Sequence, residues 1–119
     1  VYVPSSNAFV VDIDAYDSPI RQFQRRAFNL RFWPDGTVSY YRTIENPIEG
    51  VTITPDAWQS VHLRADLDAS TFDLTIEGQT AVGLPFGDDG IRRVQALCFS
   101  PNRNSCTMYI DDVRVLIHP

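Results

Sequence analysis

The chain predicts an all-β fold, two antiparallel sheets packed as a sandwich, from three observations. Apolar residues recur with a period of two. Pro, Gly, Asn and Asp break the pattern about every ten residues. No window of helical length carries an apolar stripe of period about 3.6. With 119 residues, 44% of them hydrophobic, the chain suits one domain over 1–119, either a minimal fold or part of a longer parent.

In order, the alternation predicts strands over 8–16, 27–33, 37–43, 49–54, 58–67, 71–77, 79–84, 91–99 and 106–117. Ser18 to Arg26 comes nearest to a helix, but it is polar, contains Pro19 and reads as a connection. Asp88-Asp89-Gly90 marks a turn before the strand from Ile91. Short strands at this spacing fit a sandwich better than a barrel.

One hairpin is legible residue by residue. Trp33-Pro34-Asp35-Gly36-Thr37 has Pro first, Asp second and Gly at the left-handed position of a three-residue loop with a bulge. It pairs Trp33 with Thr37, Arg31 with Ser39 and Asn29 with Tyr41, and leaves Phe28, Leu30, Phe32, Val38 and Tyr40 to the core. Later strands divide the same way: Val61, Leu63 and Ala65 alternate with Ser60, His62 and Arg64, and Phe72, Leu74 and Ile76 with Asp73, Thr75 and Glu77. The expectation is one outward polar surface carrying Asn29, Arg31, Trp33, Tyr41, Trp58, His62, Arg64, Asp73 and Glu77. Flat aromatics pack on the C–H face of a sugar and planar polar groups take its hydroxyls, although an ordinary solvated face has the same pattern.

The basic residues are ten arginines and no lysine, which excludes Schiff-base and P-loop chemistry. Twelve Asp stand against three Glu, and the net charge of −5 contains no basic block, so nucleic acid and an anionic membrane are not expected partners. No apolar run approaches the roughly 20 residues of a membrane span. A start at Val1 suggests a mature or excised segment. Cys98 and Cys106 flank a Pro/Asn/Ser loop, and a disulfide there would close nine residues, worth about 2.5 kcal/mol, and place the protein outside the cytoplasm or on the cell surface; two free cytosolic thiols are the alternative.

Four stretches taken together carry a resemblance: Ala27 to Tyr41 with its Asp-Gly hairpin, Trp58 to Asp66 with a Trp opening a strand, Phe72 to Gly78, and Met108-Tyr-Ile-Asp-Asp-Val-Arg-Val115. In this order the set resembles the concanavalin A-like, or laminin-G-like, jelly-roll superfamily over residues 9–116. The resemblance implies a concave sheet that binds carbohydrate. It also implies a structural calcium ion (Ca2+) at Asp111, with backbone oxygens from near the start of the domain; Asp12 and Asp14 are candidates for further oxygen ligands if their early strand neighbours the last one. The alternative for Asp111 and Asp112 is solvent or a pairing with Arg114 or Arg92.

No Glu-x-Asp-x-x-Glu strand of the family's glycosidases is present, and Glu45 and Glu49 flank a proline in an expected loop. A polysaccharide lyase finds its ingredients in Asn29, Arg31, Tyr41, His62 and Arg64, but not the signatures of known lyase groups. His118 is expected to fray, no strained nucleophile turn occurs, and the His and Cys spacing does not suit zinc.

The expected function is therefore a non-catalytic carbohydrate-binding or adhesion module that binds through Asn29, Arg31, Trp33, Tyr41, His62 and Arg64. The arginines at 31, 42 and 64 favour a ligand with carboxylate or sulfate. A uronate lyase or hydrolase fragment is one alternative. Protein recognition through loops 44–50, 85–90 and 100–105 is the other.

Overall fold

A computed structural model describes residues 1–20, 22, 24–101 and 106–116. Eight strands form: β1 (Val11–Tyr16), β2 (Arg26–Phe32), β3 (Thr37–Tyr41), β4 (Glu45–Thr52), β5 (Val61–Asp66), β6 (Thr71–Ile76), β7 (Gln79–Pro85) and β8 (Ala96–Pro101). They make two antiparallel sheets, β4-β3-β2-β1-β8 and β5-β6-β7. The described residues contain no α-helix, and so no helix long and apolar enough to cross a membrane.

The β2–β3 turn forms as its residues dictate. Gly36 takes φ +96° and donates its N–H to Trp33 O at 3.0 Å, Thr37 N donates to Asp35 Oδ1 at 2.9 Å, and Trp33 N donates to Thr37 O. The resulting register sets Arg31 opposite Ser39 and Leu30 opposite Tyr40. Val11, Ile13, Ala15, Phe28, Leu30, Phe32 and Val38 of the larger sheet face Phe72, Leu74 and Ile76 of the smaller one, and the Phe28 and Phe72 rings lie 5.3 Å apart.

Along one side β4 and β7 join the sheets: Gln79 accepts Thr52 N–H through Oε1 and donates to Thr52 O through Nε2, both at 3.0 Å. On the other side the sheets part. The cleft between them measures about 1670 Å³ and is lined by β5, residues 92–97 and residues 110–116.

Several expectations change. Among the described residues of the expected strand 106–117, only Tyr109 bridges, to Tyr2. The chain turns at Asp112, which has φ +53° and whose carboxylate draws Arg114 back onto it, so Val113, Val115 and Leu116 stay exposed. The expected strand at 91–99 starts only at Ala96, and that at 58–67 only at Val61. Residues 45–48, outside the strand expected over 49–54, lie in β4, which ends at Thr52. Cys98 and Cys106 are free thiols rather than a disulfide. Cys106 is in the core, whereas Cys98 neighbours Phe99, which packs on that core, so the alternation of β8 turns Cys98 to the opposite face. His118 and loop residues 102–105 lie outside the described residues.

Candidate functional site

The face of the larger sheet turned away from the core is polar, and cross-strand register fills it in rows. Ser100, Asp12, Arg31 and Ser39 form one row across β8, β1, β2 and β3; Cys98, Asp14 and Asn29 form the next, beside the Tyr41–Glu45 pair of β3 and β4. Val11-Asp12-Ile13-Asp14-Ala15 alternates strictly, so burying Val11, Ile13 and Ala15 in the core forces both aspartates onto this face.

These groups are tied together. Asn29 Nδ2 donates to Asp14 Oδ1 at 2.5 Å, and Arg26 Nε lies 3.7 Å from the same oxygen. Arg31 donates from Nη1 to Glu45 Oε1, and its Nε is 3.5 Å from Asp12 Oδ1. Ser39 Oγ donates to the other Glu45 oxygen at 2.9 Å and accepts from Trp33 Nε1 at 2.8 Å. The Arg31 guanidinium caps the Tyr41 ring, 4.8 Å from its centroid.

Although this is an outer face, it is shielded. Asp12 is 7% exposed, Asp14 5% and Asn29 1%. Asp12 Oδ1, Asn29 Oδ1 and Arg31 Nε are buried without a hydrogen-bond partner. Desolvation raises the carboxyls of both Asp12 and Asp14 above their ordinary value, and the nearby guanidiniums and the Asn29 amide offset this only in part. The face thus holds charge and unpaired polar atoms at a cost to stability, a feature associated with binding and catalytic sites.

Of the residues expected to bind, Asn29, Arg31, Trp33 and Tyr41 share this face. His62 and Arg64 do not: they lie on β5 in the other sheet, opposite Thr75 and Asp73, and the neighbouring Val61 and Leu63 pack on the core between the two sheets. The expected single surface is therefore two outer faces pointing apart, and His62 is not positioned as a base for a group held at Arg31. Trp58 sits apart from both, 57% exposed, with its ring 5.8 Å from that of Tyr2. Tyr16 and Arg26 join the polar face without having been singled out. Ser39 stands opposite Arg31 as its alternation dictates, and Glu45, expected in a loop, reaches the face because β4 starts there.

The oxygen set implied for calcium is not assembled. Asp12 and Asp14 are engaged with arginines and Asn29, whereas Asp111 lies next to the Tyr2–Tyr109 bridge, where its Oδ1 accepts the Asp112 N–H. The strand beside β1 is β8, not the terminal segment that carries Asp111. Among the described residues no three His, Cys, Asp or Glu side chains gather closely enough to hold a metal.

Compared with known proteins, the chain matches no family model, no curated protein and no solved structure.

Proposed function

We propose that the protein is a non-catalytic carbohydrate-binding module, a sandwich of the concanavalin A-like jelly-roll kind, that holds a polysaccharide on the polar face of its five-stranded sheet. The observation that carries this is the shielded network of Asp12, Asp14, Asn29, Arg31, Ser39 and Glu45 on a face that contributes nothing to the core. Asn29 Oδ1 is a buried acceptor left without a hydrogen bond, and Asp12 Oδ1 and Arg31 Nε meet only as a 3.5 Å ion pair, so the face keeps acceptor and donor capacity that suits a hydroxyl, which both donates and accepts. Trp33, half-buried at the rim, supplies the aromatic surface, while Tyr41 supports Arg31 from below.

A glycan array tests this. Retention of at least one polysaccharide is expected, weakened roughly tenfold by Trp33→Ala and by Arg31→Lys, which keeps the charge but loses the planar fork. An array silent at every salt concentration overturns the proposal and leaves protein recognition as the better account.

A further inference from the structure

Beyond Asp14, at one end of the polar face, lies a cavity of about 170 Å³ lined by Tyr16, Gln24, Arg26, Arg42, Gly87 and Asp88. Its walls are fixed by the backbone. β1 and β2 pair with a register shift at Ala15/Tyr16 that sets Tyr16 opposite Arg26. Residues 87–88 are clamped beside them: Gly87 N donates to Ala27 O at 3.0 Å, Asp88 N to Arg26 O at 2.9 Å, and Arg26 N to Asp88 Oδ2 at 2.6 Å. A Cβ on Gly87 would come within 3.2 Å of Arg26 O, closer than most side chains tolerate, so the two segments approach here because residue 87 is glycine.

The charge of this lining opposes that of the chain. Two guanidiniums face one carboxylate, that of Asp88, which already accepts the Arg26 N–H, in a protein of net charge −5. The Arg26 guanidinium lies 6.0 Å over the Tyr16 ring and 3.7 Å from Asp14, a contact too long for a hydrogen bond. Arg42 Nη2 pairs with Asp89 Oδ1 at 3.1 Å, but the Asp89 side chain is 88% exposed, and a pair so solvated exchanges readily for a better acceptor. Elsewhere on the face, Arg31 is committed to Glu45 and Asp12, and Arg64 is on the other sheet.

Size narrows the ligand further. Pockets that enclose whole small molecules measure roughly 300–1,000 Å³, so this one admits a substituent rather than a ring. Two planar guanidinium forks, a phenol hydroxyl and an amide match an oxyanion. Building on the carbohydrate-binding proposal above, we infer that this cavity receives the carboxylate or sulfate ester of a sugar whose ring lies along the polar face.

Matched polymers test it: polyglucuronate against its carboxyl-reduced product, and a sulfated galactan against its desulfated product, titrated into the chain, Arg42→Gln and Arg26→Lys. The expected result is a roughly tenfold preference for the charged member of one pair. Arg42→Gln should abolish that preference with an unchanged melting temperature, and Arg26→Lys should reduce it; the responding pair identifies carboxylate or sulfate. Equal binding of charged and neutral members, or a preference untouched by Arg42→Gln, overturns the cavity's role while carbohydrate binding stands. Failure of every glycan on the array to bind overturns both.

Discussion

The two outer faces of the sandwich come from the same alternation and end up in opposite physical states. On β5 and β6, His62, Arg64, Asp73 and Thr75 stand in water or half in water, and their contacts are local ones such as Thr75 Oγ1 with Thr80 Oγ1 at 3.2 Å. On β1, β2 and β3 the corresponding positions are shielded, cross-linked over four strands and partly unpaired. The difference is neighbourhood. A three-stranded sheet leaves its outer side chains at or near an edge, whereas on the middle strands of the five-stranded sheet Asp12, Asp14 and Asn29 have a strand on either side and the Arg26 and Arg31 side chains beside them. A polar residue in a strand is therefore weak information, and its distance from the sheet edge decides what it does.

Arginine substitutions should break this comparison most sharply. Arg31→Ala strips the buried partner from Glu45 and Asp12 and is expected to cost about 2–3 kcal/mol, below the roughly 3–5 of a fully buried pair because Glu45 keeps a third of its side-chain exposure. Chemical denaturation measures it, and a change below ~1 kcal/mol would show that the network does not bear on stability. Gly36→Ala comes next, at about 1–2 kcal/mol, because an L side chain is strained at φ +96° and its Cβ would stand 2.8 Å from Ile53 O. Since that turn sets the Arg31–Ser39 register, binding should fall with stability; a variant as stable as the parent would refute the turn's role.

The pH dependence sharpens the contrast in sign. Asp12 and Asp14 have carboxyls raised by desolvation above the ordinary 3.8, so the stability their protonation confers is complete below 3.8 and is lost as pH rises through their raised values. Asp17, Asp35 and Asp56 are lowered, chiefly by N–H groups of Arg25 and Thr37 and by the Ser5 hydroxyl, so their contribution is complete above 3.8 and fades as pH falls through their lowered values. The melting temperature should thus rise from neutral pH into the mildly acid range and fall below 3.8. Changing Asp12 and Asp14 together to Asn should remove the rise and keep the fall; a rise that persists would assign it elsewhere. The smallest effect belongs to the other face, where His62→Ala or Arg64→Ala should shift stability by no more than about 0.5 kcal/mol in the same denaturation assay.

Local pattern made much of this legible. The Trp33–Thr37 turn, the core positions of β2, β3, β5 and β6 and the polar side of each strand follow from residue order and period alone. What escaped was partnership between strands. His62 and Arg64 share their alternation with Asn29 and Arg31, and only the break between β4 and β5 puts them in a different sheet. The terminal segment has the alternation of a strand, but a strand needs a ladder partner, and the left-handed turn at Asp112 takes the chain away from one. Cys98 and Cys106 look bridgeable along the chain, yet alternation sends their side chains to opposite faces. The cavity at Tyr16, Arg26 and Arg42 depends on a bulge and on the return of residues 86–88, which no local pattern announces.

The central claim is that the outer face of the five-stranded sheet, and not that of the smaller sheet, holds the ligand. Calorimetric titration of the best-retained array glycan into the protein and two double variants tests it directly. Trp33→Ala with Tyr41→Ala should weaken binding at least tenfold, and His62→Ala with Arg64→Ala should leave it within about twofold. The reverse ranking would contradict the account.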